Sequence, residues 1–306
     1  MKIAILDSDS FFGKNMLKIL PKNSYQIYPL SKEDNIDFLS FNSLKMVFKK
    51  IAPDVIFNFA SHLGGIHYVS KYQADVVNDN MQMVLSFYKA VLASCPKAKV
   101  INPMSNCSYP GDANIHQESD WWMGEVHESV YAYGNAKRMQ YVVSCCYKKQ
   151  YGIKSLNFLV PNYFGPGDET DPTKVHALPG MIIRMIKAHR EKASTFEIWG
   201  TGKPIREWGY IDDLINILIK GITLKEDLTY PVNIAQNKGY SIRESAKLIA
   251  KAIGYKGKLT FNTNYPDGAA IKVLDNRKFK SLFPNFKFTD HKKAIQETVK
   301  YYLSIL

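Results

Sequence analysis

Lys2-Ile3-Ala4-Ile5-Leu6 runs into Asp7-Ser8-Asp9-Ser10-Phe11-Phe12-Gly13: a short apolar run, a polar turn, and a glycine heading a helical pattern that reaches Leu20. An apolar run this short reads as a buried strand, and the 3.6-residue pattern after it as an amphipathic helix. The same unit recurs along the first half. Gln26–Tyr28, Val55–Phe59, Val100–Ile101 and Ser155–Val160 read as strands, with helical patterns near Leu44–Ile51, Asp75–Ala93 and Tyr133–Gln150 between them. Strands that alternate with helices predict parallel βαβ units, and hence an α/β fold built on a doubly wound parallel sheet.

Beyond Pro161 the alternation loosens. Gly165-Pro166-Gly167-Asp168 marks a turn, and Pro179-Gly180 precedes a helix over Met181–Ala188. Phe196–Trp199, a turn at Gly200-Thr201-Gly202 and a helix over Ser241–Ile253 follow, the last with Ser241 as N-cap and Glu244 as its capping-box partner. This half reads as a smaller mixed α/β domain. The division falls at 1–162 and 163–306, with a return to the first domain near 205–236. No internal repeat or low-complexity segment interrupts it.

The 306 residues suffice for a large core, and 46% apolar with 22% charged residues is an ordinary globular balance. No apolar run approaches the roughly 18 residues of a membrane span, and the first apolar run is too short for a secretion signal, so a cytoplasmic protein without a membrane partner is expected. Cys95, Cys107, Cys145 and Cys146 show neither CxxC pairing nor a His at zinc spacing. No metal site or disulfide is expected, and three of the four read as small buried hydrophobes. The net charge of +12 comes from 40 basic residues that are scattered along the chain. A Lys-rich surface and an anionic small-molecule substrate are the readings of that charge, and nucleic acid is not an expected partner.

Chemistry concentrates around Tyr133 and Lys137, four residues apart. If Tyr133 opens a helical turn, the ammonium lies on the same face and can lower the phenol toward neutral pH, making it a proton donor or acceptor for a carbonyl oxygen. Ser105-Asn106-Cys107-Ser108-Tyr109-Pro110 precedes this pair and His176 follows it. Three further segments stand in order: Val175-His176-Ala177-Leu178-Pro179, Trp199-Gly200-Thr201-Gly202-Lys203-Pro204-Ile205-Arg206-Glu207 and Tyr210-Ile211-Asp212-Asp213. With Leu63-Gly64-Gly65-Ile66, Pro161-Asn162-Tyr163-Phe164-Gly165-Pro166 and Pro266-Asp267-Gly268, they resemble the nucleotide-sugar enzymes of the extended short-chain dehydrogenase/reductase family over nearly the whole chain.

That resemblance implies a Rossmann-like dinucleotide-binding domain and a nucleotide-sugar-binding domain, together a homodimer. The implied enzyme is an NADP(H)-dependent epimerase/reductase of a GDP-4-keto-6-deoxy sugar. Hydride would go to carbon 4, with epimerisation at carbon 3, carbon 5 or both. In these terms Tyr133 supplies the proton, Ser105 hydrogen-bonds the same oxygen, Lys137 holds the tyrosine and the nicotinamide ribose, and Cys107 with His176 matches the acid-base pair of epimerisation. Ser8, Ser10, Phe11, Phe12, Gly13, Lys32, Ala60 and Asn80 would line the cofactor. Gly65, Asn162, Arg184, Trp199, Arg206 and Lys272 would contact the substrate, with Arg206 suited to a diphosphate as a forked donor.

The turn after the first strand departs from the family. GxxGxxG is expected there, and Asp7, Ser10 and Gly13 occupy the three glycine positions. Two carboxylates compete with a pyrophosphate at the helix N-terminus unless Asp7 points away or the Ser8 or Ser10 hydroxyl replaces lost contacts. At the end of the second strand Lys32 is the nearest charge, which favours a 2′-phosphate and so NADP(H) over NAD(H). A 4,6-dehydratase would carry Thr-Asp-Glu where Ser105-Asn106-Cys107 stands. A 4-reductase without epimerisation, another NAD(P)-dependent nucleotide-sugar epimerase, and a non-catalytic nucleotide-sugar-binding protein with a decayed cofactor turn remain open.

Overall fold

A computed structural model of the chain describes all residues except 112–114, 172–174, 226, 227, 229, 266 and 268, and at position 67 the backbone alone. The Pro266 and Gly268 of the sequence motif therefore lie outside the described residues. Six strands form the main sheet: β1 (Lys2–Leu6), β2 (Gln26–Leu30), β3 (Val55–Asn58), β4 (Lys99–Ser105), β5 (Ser155–Val160) and β6 (Val232–Asn233). Their order is β2-β1-β3-β4-β5-β6, and every pairing is parallel. The chain winds outward from β1 to β2, then returns to β3 on the other side. The expected doubly wound sheet is present, and its switch point lies at the carboxyl ends of β1 and β3.

Alternation along each strand builds two cores. Ile3 and Ile5, with Phe57, Ile101 and Phe158, face a layer that includes α1 (Phe11–Ile19). Ala4 and Leu6, with Ile56 and Val100, face α2 (Phe41–Ile51) and, beyond the short α3 (Ile66–Lys71), α4 (Gln73–Ser94). Two strand boundaries differ from expectation because proline does not end either strand. Pro29 lies in β2, an edge strand, where a missing N–H is tolerated. Pro103 lies in β4 beyond Ile101, the last residue of β4 that pairs with β3, so β4 runs on to Ser105. That extension brings Ser105 to the rim of the sheet.

The helix α5 (Tyr131–Tyr151) makes Tyr133 its third residue rather than its first. It packs against α4, and α6 (Ala177–Arg190) begins directly after His176. The first core runs without a break into α6, α7 (Ile211–Gly221), α8 (Ile242–Ile253), α9 (Arg277–Leu282) and α10 (His291–Ile305) through Ile182, Leu214, Ile249, Phe279 and Ile295. Ser241 caps α8 with the predicted Glu244 box. Smaller sheets fill the second half, among them Ile205–Arg206 beside Ile271–Leu274 and Thr195–Trp199 beside Lys258–Asn262. Among the described residues no helix is long and apolar enough to cross a membrane. The cysteines correct one expectation. Cys95 is buried, but Cys145 is half-buried and Cys146 exposed, because α5 turns only part of its surface to the core.

Candidate active site

β4 ends on Ser105, and the chain tightens at once into a single turn over Asn106–Ser108, with the Ser105 hydroxyl accepting from the Cys107 N–H at 3.1 Å. Two devices lock this turn to α5. The buried Arg138 guanidinium donates from Nε to the Ser108 carbonyl at 2.8 Å and from Nη2 to the Trp121 carbonyl at 2.7 Å. Gly134 lets the helix approach, since a Cβ there would stand 2.5 Å from the Cys107 carbonyl oxygen. Ser105 and Cys107 are thus held against the helix that carries Tyr133 and Lys137, and Cys107 packs in one apolar cluster with Tyr133.

The Lys137 ammonium sits over the Tyr133 ring, 5.4 Å from its centroid, and donates to Gln140 Oε1 at 3.3 Å. Gln140 in turn donates to Asn102 Oδ1 at 3.2 Å, in a buried ladder that continues from Asn102 to Asn157 at 3.0 Å and to Tyr88 at 3.0 Å. The polar centre of the sheet therefore anchors the lysine. The expected lowering of the Tyr133 phenol is corrected. Burial dominates and raises it, with a hydrogen bond to Ser61 working the other way. Burial likewise pushes the Lys137 ammonium down to about 8. Desolvation disfavours both charged forms.

His176 stands immediately before α6 with its ring 3.4 Å from the Asp168 carboxylate. Burial works against the charged ring, but the neighbouring Asp168 carboxylate prevails and holds His176 above its usual value. A raised imidazole is suited to donate a proton near neutral pH.

The profile of the NAD dependent epimerase/dehydratase family matches residues 8–235. The chain belongs to this family. It is 28% identical to the GDP-L-fucose synthase of Dictyostelium discoideum, over 98% of this chain and 95% of that one. It is also 28% identical to the GDP-L-colitose synthase of Yersinia pseudotuberculosis, over 99% and 98% of the two chains. The crystal structure of a GDP-L-fucose synthetase from Naegleria fowleri is similar with a TM-score of 0.89 at 25% identity, covering 99% of this chain and 93% of that one.

Against the epimerase/dehydratase pattern the turn after β1 is rebuilt. Asp7 takes a left-handed conformation at φ 63°, as a first glycine would, at a cost of roughly 1 kcal/mol for a residue type that tolerates it. Ser10 caps α1: its hydroxyl accepts from the Gly13 N–H at 3.2 Å and donates to the Asp7 carbonyl at 2.6 Å. The Ser10 hydroxyl is therefore spent inside the turn and does not replace a lost contact. Gly13 keeps the packing role of the third glycine, because a Cβ would lie 2.4 Å from the Asp7 carbonyl oxygen. Ser8 is buried, and Phe12 packs edge-on against Phe59 and Tyr163, so its ring serves the core rather than the cofactor. The first-turn amides of α1 at Phe11 and Phe12 fit a pyrophosphate. Lys32 is exposed at the end of β2, close enough for its charge to act on Asp7.

Burial, then repulsion from Asp9, pushes the Asp7 carboxyl up to about 6. Below that pH Asp7 is neutral and repels an anion less. Calorimetry should find NADP(H) binding tighter as pH falls from 7 to 5.5. Asp7→Gly should tighten binding roughly tenfold at pH 7 and flatten this pH dependence. Equal affinity and equal pH dependence in the two proteins would clear Asp7 of any role.

Asn80 is engaged otherwise than expected: its side chain clamps the loop after Ala60. Its Oδ1 accepts from the Ser61 hydroxyl at 3.1 Å and the His62 N–H at 3.2 Å, and its amide donates to the His62 carbonyl at 2.8 Å and the Val76 carbonyl at 2.7 Å. The His62 ring bridges Asp79 at 2.7 Å and the Tyr68 hydroxyl at 2.8 Å. Gly65 then starts α3. Ser61, His62, Tyr68 and Gln140 escaped notice in the sequence. The only signal was that Ser61 and His62 adjoin Leu63-Gly64-Gly65.

On the substrate side, Arg206 and Lys272 are partners in adjacent parallel strands, which sets two cations side by side. Asp267, held below the usual carboxylate range first by its hydrogen bond to Thr201, adds a charge near Arg206. The buried Glu207 accepts from the Asn237 N–H at 3.1 Å and the Leu274 N–H at 2.9 Å, bracing the strand that carries Arg206. Arg184 lies 4.4 Å over the exposed Trp199 ring, which stacks on Tyr265 at 5.0 Å. Tyr265 was missed, although it directly precedes the Pro266-Asp267-Gly268 motif. Asn162 is half-exposed in the strand Asn162–Phe164, which pairs with Trp208–Tyr210.

Proposed function

We propose that this protein reduces the 4-keto group of a GDP-bound 4-keto-6-deoxy sugar with NADP(H) and epimerises carbon 3, carbon 5 or both. The observation that carries it is the locking of the Ser105–Cys107 turn onto the helix of Tyr133 and Lys137 by Arg138 and Gly134. NADPH, held by the amides of the α1 first turn, Lys32 and Lys137, supplies the hydride when bound. Tyr133, kept protonated by burial, gives its proton to the oxygen on carbon 4 as charge develops there, and the Ser105 O–H hydrogen-bonds the same oxygen. Cys107 and His176 exchange the acidic protons beside the ketone. Arg206 and Lys272 meet the diphosphate, whose charge relieves their mutual repulsion. Trp199, with Arg184 and Tyr265, offers an aromatic face to the base, and Gly65 and Asn162 border the sugar.

The two regions divide this work as a dinucleotide domain, 1–162 with the return at 205–236, and a nucleotide-sugar domain, 163–306. A homodimer in the cytoplasm completes the proposal, on the strength of the family resemblance.

Turnover in deuterium oxide tests the chemistry. The product should carry deuterium at carbon 5, carbon 3 or both, and Cys107→Ser should suppress that label while hydride transfer stays measurable. Unlabelled wild-type product would reduce the reaction to 4-reduction alone. No consumption of NADPH with any 4-keto GDP-sugar would remove the enzyme reading.

A further inference from the structure

We propose that Gln140 is a positioning residue for Lys137: its side-chain carbonyl holds the ammonium over the Tyr133 ring and keeps it charged, and a buried ladder of amides keeps that carbonyl turned to the lysine. This role presupposes the proposed one of Lys137, holding Tyr133 and the nicotinamide ribose. Tyr133, Lys137, Gln140 and Ser144 recur at helical spacing along α5, so they share one face of the helix, and all four are buried. Among the described residues the hydrogen bond of Lys137 is to Gln140 Oε1 at 3.3 Å. An ammonium has three donors, which leaves two for its proposed partners.

The direction of the ladder is set at a backbone carbonyl. The Tyr141 carbonyl can only accept, so the Ser144 hydroxyl gives it its one proton at 2.7 Å and must itself accept from Asn157 Nδ2 at 2.9 Å. Asn157 Oδ1 then accepts from Asn102 Nδ2 at 3.0 Å, across a register pair of β5 and β4. Asn102 Nδ2 also donates to the Tyr88 hydroxyl at 3.0 Å, whose own proton passes to Ser155 at 3.0 Å. Asn102 Oδ1 is left to accept from Asn58 at 3.1 Å and from Gln140 Nε2 at 3.2 Å. Asn102 thus uses all four sites of its amide and cannot turn over. Gln140, its nitrogen held by Asn102, must present oxygen to Lys137.

The bond matters because the site is dry. Burial pushes the Lys137 ammonium down to about 8, and no carboxylate among the described residues bears on it. The titratable groups on the elements around it are Tyr133 on α5, Tyr88 on α4 and Cys107 in the turn packed with Tyr133. The neighbouring Arg138 guanidinium is turned to the Ser108 and Trp121 carbonyls. A fixed neutral acceptor is then what favours the charged form, and a hydrogen bond to a cation is stronger than one between neutral groups.

The test compares wild type, Gln140→Met and Gln140→Glu with NADPH and a 4-keto GDP-sugar across pH. Turnover that needs a charged Lys137 falls on the alkaline side as the ammonium loses its proton. Gln140→Met keeps the length of the side chain and removes the acceptor. The alkaline limb should then move down by about one pH unit, and the rate at pH 9 should fall roughly tenfold. Asn102 Oδ1 keeps its Asn58 donor in this variant, so it is not left bare. Gln140→Glu sets a carboxylate beside the ammonium and should move the limb up. Independently of turnover, protein labelled with carbon-13 at lysine Cε should show the Lys137 resonance titrating lower in Gln140→Met and higher in Gln140→Glu. That resonance is identified by its loss in Lys137→Met. A merely structural role would not give shifts of opposite sign. A folded Gln140→Met with an unmoved limb and an unmoved Lys137 midpoint, or two variants that shift the same way, would overturn the proposal. If Gln140→Met does not fold, Gln140→Glu decides alone, and a limb and midpoint that fail to rise overturn it. A wild type that turns over no 4-keto sugar overturns the functional reading instead, while the Lys137 midpoints still decide the bond to Gln140.

Discussion

Tyr133→Phe should lower turnover by roughly 10²–10⁴, the range of a general acid-base group, while substrate and cofactor dissociation constants stay within about twofold. The ring is part of an apolar cluster with Val69, Val76, Val126 and Val130, and phenylalanine preserves that packing. What is lost is the proton that the proposed mechanism gives to the substrate oxygen. The hydroxyl is buried and its phenol raised, so the wild type holds that proton well above neutral pH. Stopped-flow NADPH oxidation measures the rate, and calorimetry the binding. Full activity in Tyr133→Phe would remove the tyrosine from the mechanism.

Lys137→Met should divide activity from stability. Turnover should fall at least about 10²-fold, because the side chain proposed to hold the tyrosine and the nicotinamide ribose no longer carries a donor. Stability should rise at neutral pH. The ammonium is pushed from its ordinary 10.5 down to about 8 by burial, an opposing contribution of roughly 3 kcal/mol, partly offset by its bond to Gln140. The sign follows from proton binding. Between pH 8 and 10.5 the unfolded chain holds more protons at this site than the folded one, so this contribution makes the wild type more stable as pH rises through that window. The penalty is complete below pH 8. Urea unfolding should therefore show Lys137→Met ahead of the wild type at pH 7, with the gap closing toward pH 10. A variant less stable than wild type at pH 7 would mean that the amide ladder needs the ammonium.

The main sheet was legible from the chain because its signals are local. Ile3-Ala4-Ile5-Leu6 declares a two-sided strand by its own side chains, and Ser241 with Glu244 declares the start of α8 within four residues. β4 was read short because Asn102 and Pro103 look like a break. Asn102 is buried there because Asn58, Tyr88, Gln140 and Asn157, from four other elements, satisfy its amide. A buried polar residue whose partners are distant in sequence cannot be told from a loop residue in advance.

By itself the sequence determined the order of the chemistry-bearing residues, Ser105, Cys107, Tyr133, Lys137 and His176, and the departure at Asp7 and Ser10, since residue type and spacing are local properties. Only the tertiary structure decided how those residues behave. Burial raised the Tyr133 phenol and lowered Lys137, Arg138 locked the Ser105–Cys107 turn to the helix of Tyr133, and Asn80 clamped the loop after Ala60. Desolvation and hydrogen-bond partnership depend on which distant segments exclude water from a group, a quantity that exists only once the chain has folded.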